Sequence, residues 1–286
     1  MELFYYLKNE AKKVLIKIKE LNQEILSELS EIEISIKISS EKFKKAIDKV
    51  VEGELEAALE KIAMYFIPRK DETLELLKDI LKKYPLSFLI PREIIDHKGR
   101  IIATVDPIRE DIDGHSIFQI PQNMQINSFL LHETVITLKN KFNLNTETVV
   151  EYLYNSPIFE DERKEFFIRG IGTYLNNDYL VAIHILVPQI EALVRNLAQI
   201  IGVPILTQNR FNGFNYKTLY GLLSDEKIIA VLSEDMCLYL KALFTDVRGW
   251  NIRNDVCHGI SDLQSFNQVV ADRVFHVLIC LALLRE

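Results

Sequence analysis

Apolar residues at the start of the chain fall on two interleaved rows. Phe4, Ala11, Ile18, Ile25 and Ile32 are spaced seven apart, and Leu7, Val14 and Leu21 follow the first three of them by three residues. This spacing predicts a long helix with one apolar seam. Glu28 falls where the second row would continue, so the seam predicts packing against its own domain in preference to a coiled coil. The stretch "EIEISIKIS" then switches to strict alternation, with Ile32, Ile34, Ile36 and Ile38 on one side, and predicts a half-buried strand.

Ser39 or Ser40 is placed to cap a helix in which Phe43, Ile47, Val50, Val51, Leu55, Leu59 and Ile62 share a face up to Pro68. "DETLELLKDILKKYP" predicts a shorter amphipathic helix stopped by Pro85, and "HKGRIIATV" a turn feeding a strand. "DPIREDIDGHSIFQIPQN" reads as a loop because Pro107, Asp113, Gly114 and Pro121 punctuate it. Helical spacing resumes near Ile126 and runs through "TETVVEYLYN". From Phe159 onward the texture is almost wholly helical, in four segments: "EDERKEFFIRGIGTYLNN", "DYLVAIHILVPQIEALVRNLAQIIG", "SEDMCLYLKALFTDV" and "SFNQVVADRVFHVLICLALLRE". The expected fold is therefore mainly α. Residues 1–125 form a mainly helical region with strands near 31–39 and 99–105, residues 126–158 connect helically, and residues 159–286 form a four-helix bundle.

An apolar share of 48% across 286 residues supplies ample core and excludes a disordered chain. The 34 basic and 41 acidic residues give a net charge of -7 without a basic tail, which argues against nonspecific coating of nucleic acid but leaves room for a local phosphate site. Cys237, Cys257 and Cys280 are too few and too scattered for a disulfide framework. "MELFYYLKNEAKK" carries charges where a signal peptide is apolar, and "VFHVLICLALL" is too short to span a bilayer. A soluble, cytoplasmic protein without membrane contact is expected. No cofactor or metal is expected either: "RGIG" lacks the lysine and strand of a phosphate loop, and no histidine and cysteine cluster has ligand spacing. His132 and Glu133 lack a second histidine and read as an exposed helix face.

Two stretches concentrate chemistry. His184, Pro188, Glu191 and Arg195 step by four, three and four, and so share one face of an otherwise apolar helix. That face is either solvated, with Glu191 and Arg195 as an ordinary pair, or it borders a polar crevice in which Glu191 orients another cation. In "WNIRNDVCHGI", Arg248 to Asn251 read as a turn and Asn254 as the cap of the next helix, with Asp255 in its first turn. His258 would then lie near the positive end of that helix, which favours a neutral imidazole, and Gly259 would permit close approach of a backbone or ligand. Arg253 and His258 are five apart, roughly 140° around an ideal helix, so they converge only through an irregular helix start or a second subunit. Cys257 beside His258 points roughly 100° away from it, which discounts a cysteine nucleophile.

"RNDVCHG", Arg253 to Gly259, resembles the R-x(4 to 6)-H motif of the HEPN superfamily in its RNxxxHG form. "LVPQIEALVRNLAQIIG" is similar to the preceding core helix of a bacterial HEPN branch with an added N-terminal region. The resemblance covers about residues 160–286. It implies a HEPN-like four-helix bundle whose last long helix opens with the motif, and a homodimer that joins two motifs in one cleft. It also implies metal-independent endoribonuclease activity in a toxin, antiphage defence or RNA-processing role. Carried onto this chain, Arg253 would bind the scissile phosphate and His258 would move the proton, giving a cyclic 2',3'-phosphate and a 5'-hydroxyl. Asn254 would orient the site and Glu191 would hold Arg253, with Asp255 and Arg195 in support. RNA, such as a tRNA, is the expected substrate, with an antitoxin or regulatory protein as a further partner. Tyr216, Tyr220 and Trp250 could stack bases, although aromatics in helical regions are more often core. The alternative is a non-catalytic HEPN scaffold that dimerises and binds nucleotide, RNA or a protein partner.

Overall fold

The structure, a computed structural model, describes residues 2–28, 40–96 and 98–285. Helix α1 spans Glu2–Glu28, α2 Ser40–Val50, α3 Leu55–Tyr65 and α4 Lys70–Lys83. The single helix expected from Phe43 to Ile62 is thus two helices. The chain turns at Gly53, where φ is 99°, and Lys141 Nζ donates to the carbonyls of Val51 and Gly53 at 2.7 and 3.2 Å. Apolar periodicity survives the break because both helices lay their apolar sides on the same core, and so the pattern conceals it. The seam of α1 departs further from expectation. Ala11, Val14, Ile18 and Leu21 face solvent, and α1 meets the body of the protein at Asn22, against the turn at Gly99. The alternating stretch 31–39 lies outside the described residues.

Strand β1 (Arg92–Ile95) pairs antiparallel with β2 (Ile101–Val105), Arg92 opposite Val105. Only the second of these strands is legible as a strand in the sequence. The segment read as a loop instead forms α5 (Ile112–Ile126). Asp111 caps it, accepting from the Gly114 amide at 2.8 Å, and burial of Ile117, Ile120 and Met124 offsets the hydrogen bond that Pro121 removes from the ladder. Helices α6 (Ser128–Phe142) and α7 (Thr146–Leu153) complete this half.

The four helical segments expected after residue 159 are α8 (Lys164–Leu175), α9 (Tyr179–Ile200), α12 (Glu234–Phe244) and α14 (Gln268–Leu281). Between α9 and α12 run a short hairpin, β3 (Leu206–Gln208) with β4 (Phe214–Tyr216), and two small helices, α10 (Leu219–Leu222) and α11 (Glu226–Leu232). A further short helix, α13 (Ile252–His258), precedes α14.

Helices α9 and α14 form the axis of the core. α9 packs on α8, α10, α13 and α14, while α14 also lies against α3 and α6. Every residue of α14 from Ala271 to Leu281 is buried, and each fully enclosed Leu, Ile or Phe contributes about 1.5–3 kcal/mol of transfer free energy. The cluster runs without interruption from Ile47 to Ala282, across the expected boundaries near 125 and 158. Among the described residues α9 alone is long and apolar enough to cross a membrane, and most of it is buried here.

Candidate active site

The turn between α12 and α13 fixes the motif. Trp250 N–H donates to the Ala242 carbonyl at 2.8 Å, and a Cβ on Gly249 would stand 2.0 Å from that same oxygen, so the chain closes there only around a glycine. Asn251, in the left-handed region at φ 52°, precedes α13 as its N-cap residue, the position expected of Asn254. Asn254 lies within the first turn and donates to Asn251 Oδ1 at 2.7 Å.

The motif therefore occupies a seven-residue helix of its own and does not open the last long helix. Residues 259–267 separate the two because Gly259, at φ 60°, ends α13 with its amide bonded to the Asp255 carbonyl. Nothing lies within 4 Å of where a Cβ on Gly259 would be, so no other backbone among the described residues approaches it, and its left-handed φ serves the helix cap. His258 is the last residue of α13, at the negative end of the helix, and the argument for a neutral imidazole from the positive end falls.

Four of the predicted residues come together. Arg253 Nε donates to Glu191 Oε2 at 2.7 Å, and Arg195 Nη2 donates to Oε1 of the same carboxylate at 2.8 Å. Arg253 Nη1 donates to Asn254 Oδ1 at 3.0 Å, which leaves Nη2 without a partner among the described residues. The Glu191 side chain is 12% exposed and that of Arg253 27%, so the pair sits half-buried in a recess between α9 and α13. The hydrogen bond that Arg253 donates to Glu191 raises its pKa further against the opposing effect of burial. One carboxylate between two guanidinium groups leaves a local charge of +1 on an acidic molecule.

The hairpin β3–β4 adds to this recess. Tyr216 is exposed, and its ring covers the Arg195 guanidinium at 4.7 Å. Tyr220 is also exposed, with Lys241 Nζ 5.0 Å from its ring centre, whereas Trp250 packs against the core. The core reading fails for the two tyrosines because a hairpin and a short helix, not a long amphipathic one, carry them. That hairpin escaped the helical reading, though "NRFNGF" holds its signal: Asn209 Oδ1 accepts from the amides of Phe211 and Gly213 across an Asn-Gly turn.

Other predicted residues stand apart. His258 is exposed and makes no hydrogen bond among the described residues, and Cys257 is exposed beside it. Asp255 accepts from Ser261 Oγ at 2.5 Å and lines a separate pocket with Trp250 and Phe266. His184, at the head of the polar stripe, bonds the Leu180 carbonyl through Nδ1 at 2.8 Å and rests on Phe266. His132 is not on an exposed face: its Nδ1 lies 2.9 Å from Oδ2 of Asp272, whose Oδ1 accepts from the Tyr174 hydroxyl at 2.6 Å. Burial holds the Asp272 pKa above the usual carboxylate value in spite of these bonds.

Among the described residues, no three or more His, Cys, Asp or Glu side chains are grouped to hold a metal ion. No known protein family, curated protein or solved structure matches the chain.

Proposed function

We propose that the chain is a metal-independent endoribonuclease of HEPN type, acting as a homodimer in a toxin, antiphage defence or RNA-processing role. The observation that carries this reading is the Glu191 carboxylate fixing Arg253 at 2.7 Å with one terminal nitrogen left free, while His258 stands unengaged at the end of the same short helix.

The chemistry follows from those two groups. A ribose 2'-oxygen attacks the adjacent phosphorus as the P–O5' bond breaks. One imidazole takes the proton from the 2'-hydroxyl, and a protonated one supplies a proton to the departing 5'-oxygen. Arg253, held by Glu191, places N–H donors where charge develops on the phosphoryl oxygens. Roughly 140° of helix separates Arg253 from His258 within one chain, so a second protomer is required to present a histidine opposite each arginine. With a net charge of -7 overall and +1 in the recess, the substrate is a structured RNA such as a tRNA, gripped at few phosphates. The exposed rings of Tyr216 and Tyr220 suit unstacked bases.

The test is incubation of the purified protein in EDTA with total RNA and with a tRNA pool. Discrete products ending in cyclic 2',3'-phosphate are expected, with at least about a hundredfold loss in both Arg253→Ala and His258→Ala. A stable dimer that cleaves neither substrate would favour the scaffold reading. In that case the mutual bonding of Arg253, Asn254 and Glu191 stiffens a docking face.

A further inference from the structure

Arg273 is 2% exposed, yet among the described residues no carboxylate pairs with it. Its Nη1 donates to the Phe66 carbonyl at 3.1 Å and its Nη2 to the Met124 carbonyl at 3.2 Å, while Nε is buried without a partner. Carbonyl dipoles satisfy individual N–H groups but do not neutralise a desolvated charge. Nor can the surrounding side chains, since burial raises the Tyr239 and Cys280 pKa values far above their ordinary range and keeps His276 neutral.

Phe66, Met124 and Arg273 line one open cleft of about 580 Å³, in which the Arg273 guanidinium bridges the carbonyls of the other two. Tyr65, Leu76 and Leu130 give the cleft an apolar side, and Asn123 and Asn127 a polar one. The rim cation is already engaged: Arg69 is bonded twice to Asp71 at 3.2 Å, and Glu72 lies 3.8 Å from the same guanidinium. Arg273 is therefore the cation of this cleft that has no carboxylate among the described residues, in a space of the size that small ligands fill.

We propose that this cleft binds a small organic anion, a carboxylate or phosphate ester on an apolar body, whose oxyanion pairs with Arg273. The site lies where the segments α3–α4 and α5–α6 meet α14, away from the Arg253 recess, and does not depend on the nuclease reading.

Thermal unfolding of the full-length protein with benzoate, phenyl phosphate or neutral benzamide, at matched ionic strength, tests it. At about five times Kd, at least one anion should raise Tm by about 3 °C while benzamide leaves it unchanged. The larger of the two anion shifts identifies the preferred oxyanion. Arg273→Met should abolish the response. No shift with either anion, or the same shift in Arg273→Met, would overturn the proposal. If that variant does not fold, the Nε–H resonance of Arg273 in the parent decides: displacement by the anion supports the site, and an unmoved signal overturns it.

Discussion

At the scale of single residues, His276 shows how context sets chemistry. It is wholly buried on α14, with Nε2 3.2 Å from the carbonyls of Ile62 and Ala63 and Nδ1 3.0 Å from the Tyr239 hydroxyl. Carbonyls only accept, so Nε2 carries the proton and Nδ1 accepts from the tyrosine. Burial, aided by the nearby Arg273 charge, lowers its pKa from 6.5 to about 3. The unfolded chain binds this proton more readily than the folded one. The contribution of His276 is therefore intact above pH 6.5 and is withdrawn as pH falls towards 3, by about 1.4 kcal/mol per unit. Tm followed from pH 7 to pH 4 should show this slope, and His276→Gln should flatten it. Nothing in "VFHVLIC" reveals such a role, because the carbonyls that decide it belong to a helix more than two hundred positions away. Glu191 and Arg195 were legible because one helical face displays them at fixed steps. That Arg253 is the third partner could be reasoned from charge, but its 2.7 Å geometry depends on how α13 lies on α9.

At the scale of elements, periodicity located most helices and failed where a turn interrupts a continuous face or where burial overrides a breaker. Gly53 is the first case and Pro121 in α5 the second. The short helix α13 belongs with them. A helical reading extends "IRNDVCH" into the next apolar run, whereas a left-handed Gly259 ends it after two turns. The α12–α13 turn makes a direct prediction. Gly249→Ala forces a methyl group into the Ala242 carbonyl, so urea titration should show a loss of about 2–4 kcal/mol. The RNA cleavage proposed for the chain should fall as well, since the same turn sets the direction in which α13 presents Arg253. Equal stability of the two proteins would mean that this turn is free to open.

At the scale of the whole molecule, the two halves share their interior. α3 rests on α14, Arg273 bonds backbone of both α5 and the segment after α3, and Arg248 joins Asp246 to Asp111, the cap of α5, at 2.9 Å each. Thermal unfolding of the full chain should accordingly give one transition. A fragment beginning at residue 126 should fail to fold, with a flat melting curve, because the buried face of α14 is then bare. The same enclosure sorts the three thiols. Cys237 and Cys280 are sealed in the interior, and burial suppresses ionisation of both, whereas Cys257 lies open on α13, one helical turn from Arg253. The native protein thus offers a single addressable position for a maleimide dye, on the same short helix as Arg253 and His258, where the proposed nuclease would bring RNA and a second protomer together. Fluorescence from that one label can test for either proposed encounter without any engineered cysteine.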